Sequence, residues 1–336
     1  MRTPVTSRAA GSERHAQSRE KLRYALRTPV VGPLAALLIC VVVFSITTET
    51  FLTPQNLSLV LQQSIVIGTL ALGQSLIILT AGIDLSNGAI AVLGTIVMAK
   101  IAFEGGNPGG ALLLGLAVAT FLGLVNGLLV ARLGLPPFVV TLGALTVVFA
   151  VSSLYSQSRS YQVTSDLLLF WGEGIQLGAV LLTWGTFLLM GLYALFWYVL
   201  ADTAWGRHIY AVGDAPESAR LTGISVWRTV LSVYVTAGFL YGIAAWQALG
   251  RIANADPNAY RTANLESITA VVLGGTSLFG GRGSIIGTLI GAVIVNVLRS
   301  GLTQAGIDSL YQDVATGTLI VVAVGIDQVL RRSGSR

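Results

Sequence analysis

Two lysines, two histidines and one cysteine among 336 residues are unusually few, and each scarcity closes off a class of chemistry. A phosphate-cradling loop of the Walker A type needs Gly-Lys followed by Ser or Thr. Lys21 follows Glu20 and Lys100 follows Ala99, so this chain carries no such loop and no ATPase site of its own. His15 and His208 stand far apart, no His-Glu-x-x-His spacing occurs, and no metal site is expected. The lone Cys40 sits in an apolar run, where it can make neither an internal disulfide nor a cysteine metal cluster. A Gly-x-Ser-x-Gly nucleophile elbow is also missing. Charge is scarce as well, at 10% Asp, Glu, Lys and Arg. The formal charge of +5 is explained by membrane orientation rather than by nucleic acid, which is rejected as a partner.

What is present is apolar. A hydrophobic fraction of 54% and a mean hydropathy of +0.76 indicate many membrane spans. The 39 glycines lie largely inside these runs, as close helix packing in a bilayer requires. Ten spans are expected, near Val31–Thr48, Leu59–Thr80, Ala89–Phe103, Ala111–Ala131, Phe138–Tyr155, Leu177–Leu200, Val230–Leu249, Ile268–Phe279, Ser284–Leu298 and Val314–Ile326. The fold class is an all-α polytopic membrane protein. Residues 1–30 read as a disordered basic tail, 31–330 as the transmembrane domain and 331–336 as a short C-terminal tail. Ten spans put both tails in the cytosol. The N-terminal tail, Arg132, Arg207, Arg220, Arg228, Arg282 and the C-terminal arginines then fall inside, matching the excess of basic residues in cytosolic loops.

The longest polar interruption is Ala201–Trp227, and it encodes a small helix. Asp214 is positioned to N-cap, Pro216 to open the helix, Glu217 to complete a capping box, and Gly223 to stop it after Ser218, Ala219, Arg220 and Leu221. So short a helix is marginal alone, which leaves two readings, a partner's handle on the cytosolic side or an ordinary connecting loop. Asp84, in the knot Gly82–Gly88 after the second span, is an ionisable group at a span boundary. With Ser86 and Asn87 it is a candidate for the translocation path; alternatively, with Ser86, it caps the third span. Gln74, Asn126, Thr141, Gln247 and Asn296 can bond a hydroxylated solute on a translocation path or hold helices together. The knot is echoed later: Gly82-x-x-Leu85-x-x-Gly88 parallels Gly275-x-x-Leu278-x-x-Gly281, and glycine-interrupted segments in two halves of a transporter can mark broken helices.

Several blocks in order carry a resemblance to a known family. They are Ala81-Gly82-Ile83-Asp84-Leu85-Ser86, Pro137-Phe138-Val139-Val140-Thr141-Leu142-Gly143, Trp205 to Asp214, Ala219 to Ile224, and Gly274 to Ser284 with Gly274, Gly275, Gly280, Gly281 and Gly283. The chain resembles the permease subunits of bacterial ATP-binding-cassette importers for monosaccharides. That resemblance implies a sugar permease of the bacterial inner membrane, fed by a periplasmic binding protein and paired with a second permease copy, identical or paralogous. ATP and Mg would be held by separate ATPase subunits, and Asp214–Gly223 would be the coupling helix that docks on them. The family commonly has Gly where Ala81 stands and Glu-Leu where Asn264-Leu265 stands; the second change bears on the outer side of the expected topology. The competing class, an ion-coupled secondary transporter, would need ionisable residues along its path, and only Asp84 offers one.

Overall fold

A computed structural model of the protein describes residues 30–334; the expected N-terminal tail lies outside them. The first five helices are α1 (Val31–Thr47), α2 (Pro54–Leu79), α3 (Asn87–Phe103), α4 (Pro108–Ala131) and α5 (Pro137–Ser156). Three of these start on proline, whose missing N–H is no loss in a first turn. Thr53 caps α2 by accepting from the Asn56 N–H at 3.4 Å, and Asn107 caps α4 by accepting from Gly109 and Gly110 at 2.8 and 3.1 Å. A strand β1 (Tyr161–Gln162), a single turn α6 (Asp166–Leu169) and a hairpin of β2 (Gly174–Leu177) and β3 (Val180–Thr183) follow. Then come α7 (Trp184–Asp202), α8 (Ala204–Asp214), α9 (Pro216–Leu221), α10 (Val226–Ile252), β4 (Asn254–Ala255), α11 (Ala263–Leu273), α12 (Ile285–Gln304) and α13 (Ser309–Gly334).

Six helices, α2, α4, α5, α7, α10 and α12, are long and apolar enough to cross a membrane; α1, α3 and α11 are apolar but shorter. The protein is thus mostly helical and polytopic. Its core is α2, α3 and α10, and α4 closes on α10 through Gly123, whose absent side chain leaves room for the backbone of Tyr234 and Gly238, and through Gly127, which faces the side chains of Tyr234 and Leu231. Around this core α1, α5 and α7 turn large apolar residues outward, among them Ile46, Val147, Leu154 and Tyr198. Such a surface suits lipid, where burial in hydrocarbon replaces burial in protein.

Three expectations are corrected. The span placed at Leu177–Leu200 begins only at Trp184. The residues before it form the hairpin, which turns at Gly178 (φ +60°) and is tied to α2 by Ser58, bonded to the Leu181 N–H and carbonyl at 3.0 and 3.1 Å. Hydropathy alone ran these apolar strands into the helix. The span placed at Ile268–Phe279 is α11, ending at Leu273 before a glycine turn. Eleven residues rise only about 16 Å, roughly half a bilayer core. The loop Ala201–Trp227 holds a second, longer helix, α8, capped by Thr203, which accepts from the Gly206 N–H at 3.2 Å.

The two ends of the bundle are distinct. At one, Lys100 donates to the Tyr155 carbonyl at 2.9 Å and β1 pairs with β4. At the other, Arg132 and Arg228 stack on Trp227 at 5.2 and 5.4 Å from its ring centre, beside α8 and α9. From β4 the chain turns back into the bundle until the Tyr260 carbonyl faces Gly88. Here α3 starts toward one end and α11 toward the other, two part-length helices whose N-termini meet.

Candidate functional site: a buried hub beneath a short exposed helix

Between α2 and α3 the chain has no regular structure for seven residues, Thr80–Ser86, yet Asp84, Ser86 and Asn87 are buried. Every polar group so enclosed needs a partner, because an unmet one costs about 1–3 kcal/mol. Asp84 Oδ1 accepts from the Ser86 N–H at 2.7 Å and the Ser86 hydroxyl at 2.6 Å. Its carboxylate therefore ties down the turn that opens α3, while Ser86 occupies the cap position itself. Asn126 of α4 donates to Ser86 Oγ at 2.9 Å, and Thr141 of α5 donates to the Ile83 carbonyl at 3.0 Å. From α2, the Gln74 amide fits with its oxygen on the Asp84 N–H (3.2 Å) and its nitrogen on the Asp84 carbonyl (3.0 Å).

On the α11 side the Asn87 amide lies 2.7 Å from Ser267 Oγ, and Asn264 donates to the Leu85 carbonyl at 3.1 Å. Asn264 is thus a buried strut rather than part of an outer face, a correction to the expected topology. Six of the eight path candidates, Gln74, Asp84, Ser86, Asn87, Asn126 and Thr141, gather in this hub. Gln247 stands apart on α10, accepting from Thr69 of α2 at 2.7 Å, and Asn296 stands on α12.

At the α9 end the hub meets the glycine turn after α11. The second sequence echo reaches the end of α2, just before the first: the Gly281 N–H donates to the Leu79 carbonyl at 3.0 Å. Gly213, near the end of α8, fits into the same junction. A side chain there would overlap the Leu79 carbonyl, and one on Gly281 would come within 2.6 Å of the Asp214 Cα. The approach is backbone to backbone, which only glycine allows. The other motif glycines serve the same end of the bundle. Gly274 seats α11 against Gly287 of α12, Gly283 makes room for Thr276, and Gly275 and Gly280 turn the chain.

Helix α9 projects from this junction. The small helix predicted from sequence is present, but Asp214 does not cap it. Asp214 ends α8, and Ala215 stands at the cap position without a side-chain bond. The stop is as expected: the Gly223 N–H donates to the Arg220 carbonyl and the Ile224 N–H to the Ala219 carbonyl, both at 3.0 Å, a Schellman closure around Gly223 (φ +87°). Ala219 is buried, while Glu217 and Arg220 form a loose exposed pair at 3.9 Å and Leu221 is 86% exposed. Ser218 lies in the first turn, where the backbone N–H has no helical acceptor. The helix is held to the bundle through α8: Trp205 donates to Ser232 at 2.8 Å and Tyr210 to the Gly283 carbonyl at 3.3 Å. Burial raises the Tyr210 pKa, which keeps that donor protonated. The sequence signal for α8 was the Thr203 cap with Ile209 and Val212 three apart.

The geometry is that of a lever. An exposed short helix sits on a glycine joint, and the joint abuts the loop that anchors two part-length helices. A profile of the family described as branched-chain amino acid transport system / permease component matches residues 56–324. The fructose import permease protein of Rhizobium meliloti is 42% identical over 93% of this chain and 89% of its own length. The ribose import permease protein of Bacillus subtilis is 36% identical over 89% and 92%. The galactose/methyl galactoside import permease protein of Escherichia coli is 32% identical over 89% and 94%.

Proposed function

Because the chain belongs to the permease family of sugar ATP-binding-cassette importers, we propose that it moves a monosaccharide inward, received from a periplasmic binding protein. Separate ATPase subunits, which hold ATP and Mg, supply the energy, and a second permease copy, identical or paralogous, completes the pathway. The family description speaks of amino acids, but the sugar permeases match nearly full length at 32–42% identity, and they decide the substrate class. The chain sits in the bacterial inner membrane with α9 and both termini in the cytosol. On this reading α1, α3, α11 and α13 join the six longer helices in the bilayer, α3 and α11 as partial crossings, which accounts for all ten expected spans.

The observation that carries the mechanism is α9 on its glycine joint. Leu221, 86% exposed, with Glu217 and Arg220, offers the ATPase an apolar contact flanked by charges. Movement of α9 with the ATPase passes through Asp214 and Gly213 to Leu79 and Gly281 without a compressible side chain between. It therefore reaches both the Thr80–Ser86 segment and the α11–α12 turn, and shifts the part-length helices between two packed arrangements. Ion coupling is disfavoured because Asp84, its best candidate, is spent on the turn before α3. The test is co-purification of the chain from its native membrane, followed by reconstitution with the recovered ATPase and binding protein. ATP-dependent uptake of a labelled sugar supports the reading; ion-driven uptake without any ATPase overturns it.

A further inference from the structure

At the end opposite α9, the residues following β4 fold back beside α2, α11 and α12 and leave a cleft of about 430 Å³. Gln63, Asn296, Glu266, Arg299, Arg251 and Arg261 supply its polar wall. A second cavity of about 530 Å³ adjoins it, and Gln63 and Arg299 line both. These volumes fall in the range of small-molecule sites. Part of the wall's bonding capacity is not used up. The Gln63 amide has no hydrogen-bond partner among the described residues, and Asn296 spends only one donor, on the Ala292 carbonyl of its own helix at 2.8 Å. Arg251 and Arg261 have no ion-pair partner among the described residues. Glu266 is paired with Arg299 and accepts from Thr262 at 2.8 Å, while Arg299 also reaches Asp313 at 3.8 Å.

Polar side chains with spare capacity inside a membrane chain are costly unless something bonds them. Amides, a carboxylate and a guanidinium side by side present donors and acceptors in flat pairs, which match the adjacent hydroxyls of a polyol. The Glu266–Arg299 pair carries no net charge, and Arg251 and Arg261, which are exposed, are screened by solvent. We infer that this cleft is a binding station for a neutral sugar on its way through the chain, with Gln63 and Asn296 bonding its hydroxyls directly. The inference rests on the importer reading and adds the residues that hold the cargo.

The test uses the complete complex of permease, ATPase and binding protein in proteoliposomes, with labelled D-fructose, D-ribose and D-galactose as probes. Gln63→Leu and Asn296→Leu, close in volume to the originals, are expected to lower uptake of the transported sugar about tenfold while the ATPase rate stimulated by loaded binding protein stays within about twofold. In a Cys40→Ala background, Gln63→Cys is expected to react with a maleimide more slowly when the transported sugar is present, and the adduct to block uptake. The second measurement decides even where a leucine variant assembles poorly. Unchanged labelling with sugar, together with uptake that survives the adduct, overturns the inference. Absence of ATP-dependent uptake by the unaltered complex overturns the importer reading instead, and is seen before any variant is made.

Discussion

Helix α9 and the Thr80–Ser86 segment are both short, both follow a polar signal in an apolar chain, and both suggested a capped helix start. They end in opposite environments. Around α9 the caps are backbone bonds and the side chains are left free: Glu217, Arg220 and Leu221 face outward. In the Thr80–Ser86 segment the side chains do the holding, and helices α2, α4, α5 and α11 each send a polar group into it. One element is built to be touched by another protein and the other to be held by its own. The glycine joint at Gly213 and Gly281 lies between them, where contact is closest.

Substitutions that fill the joint should do the most damage. Gly213→Val places branched carbons on the Leu79 carbonyl and Gly281 N–H, and a loss of more than about 4 kcal/mol is expected. The chain should fail to accumulate in membranes as a monodisperse species; normal recovery would show that the junction can open. Leu221→Asp should leave abundance and thermal stability unchanged, since Leu221 is exposed, yet weaken the ATPase complex by about 2 kcal/mol or more. Co-purification yield measures that effect, and an intact complex would remove α9 from the interface. Within α9, proline at Ser218 should be tolerated because that N–H is unbonded in the helix. Proline at Ala219 removes the 2.9 Å bond to the Ala215 carbonyl and should abolish uptake.

The hub sharpens the comparison at lower cost. Asp84→Ala strips the Ser86 N–H and hydroxyl of their acceptor, for about 2 kcal/mol of stability. Asp84→Asn keeps an acceptor oxygen and should lose less than half as much in thermal unfolding. Equal losses would mean that the charge itself, not the cap, is needed. The smallest effect is expected at Ala81, which sits at φ +61° where glycine is the usual residue of the resembling family. Left-handed backbone costs alanine about 1–2 kcal/mol, and glycine's extra chain entropy returns about 0.5–1 kcal/mol of that. Ala81→Gly should therefore stabilise slightly, by no more than about 1.5 kcal/mol, visible as a small rise in melting temperature.

Much of this was legible in the chain itself. Long apolar runs determined the polytopic class and the centres of most helices, because a bilayer imposes length and apolarity on any crossing segment. With neither lysine following a glycine, a Walker A loop was excluded, and Pro216 and Gly223 marked α9, because start and stop signals act over a few residues. Tertiary structure decided what local signals cannot carry. It alone distinguished the β2–β3 hairpin from the start of α7, since both are apolar. It turned the span expected at Ile268–Phe279 into the part-length α11, since the Tyr260 carbonyl at Gly88 and Asn264 on Leu85 hold its start inside the bundle. It also sorted the polar candidates: Gln74, Asp84, Ser86, Asn87, Asn126 and Thr141 gather around the Thr80–Ser86 segment, while Gln247 and Asn296 stand apart from it. Whether a polar side chain is satisfied depends on neighbours distant in the chain, 180 residues apart for Asn87 and Ser267, and those neighbours exist only once the chain has packed.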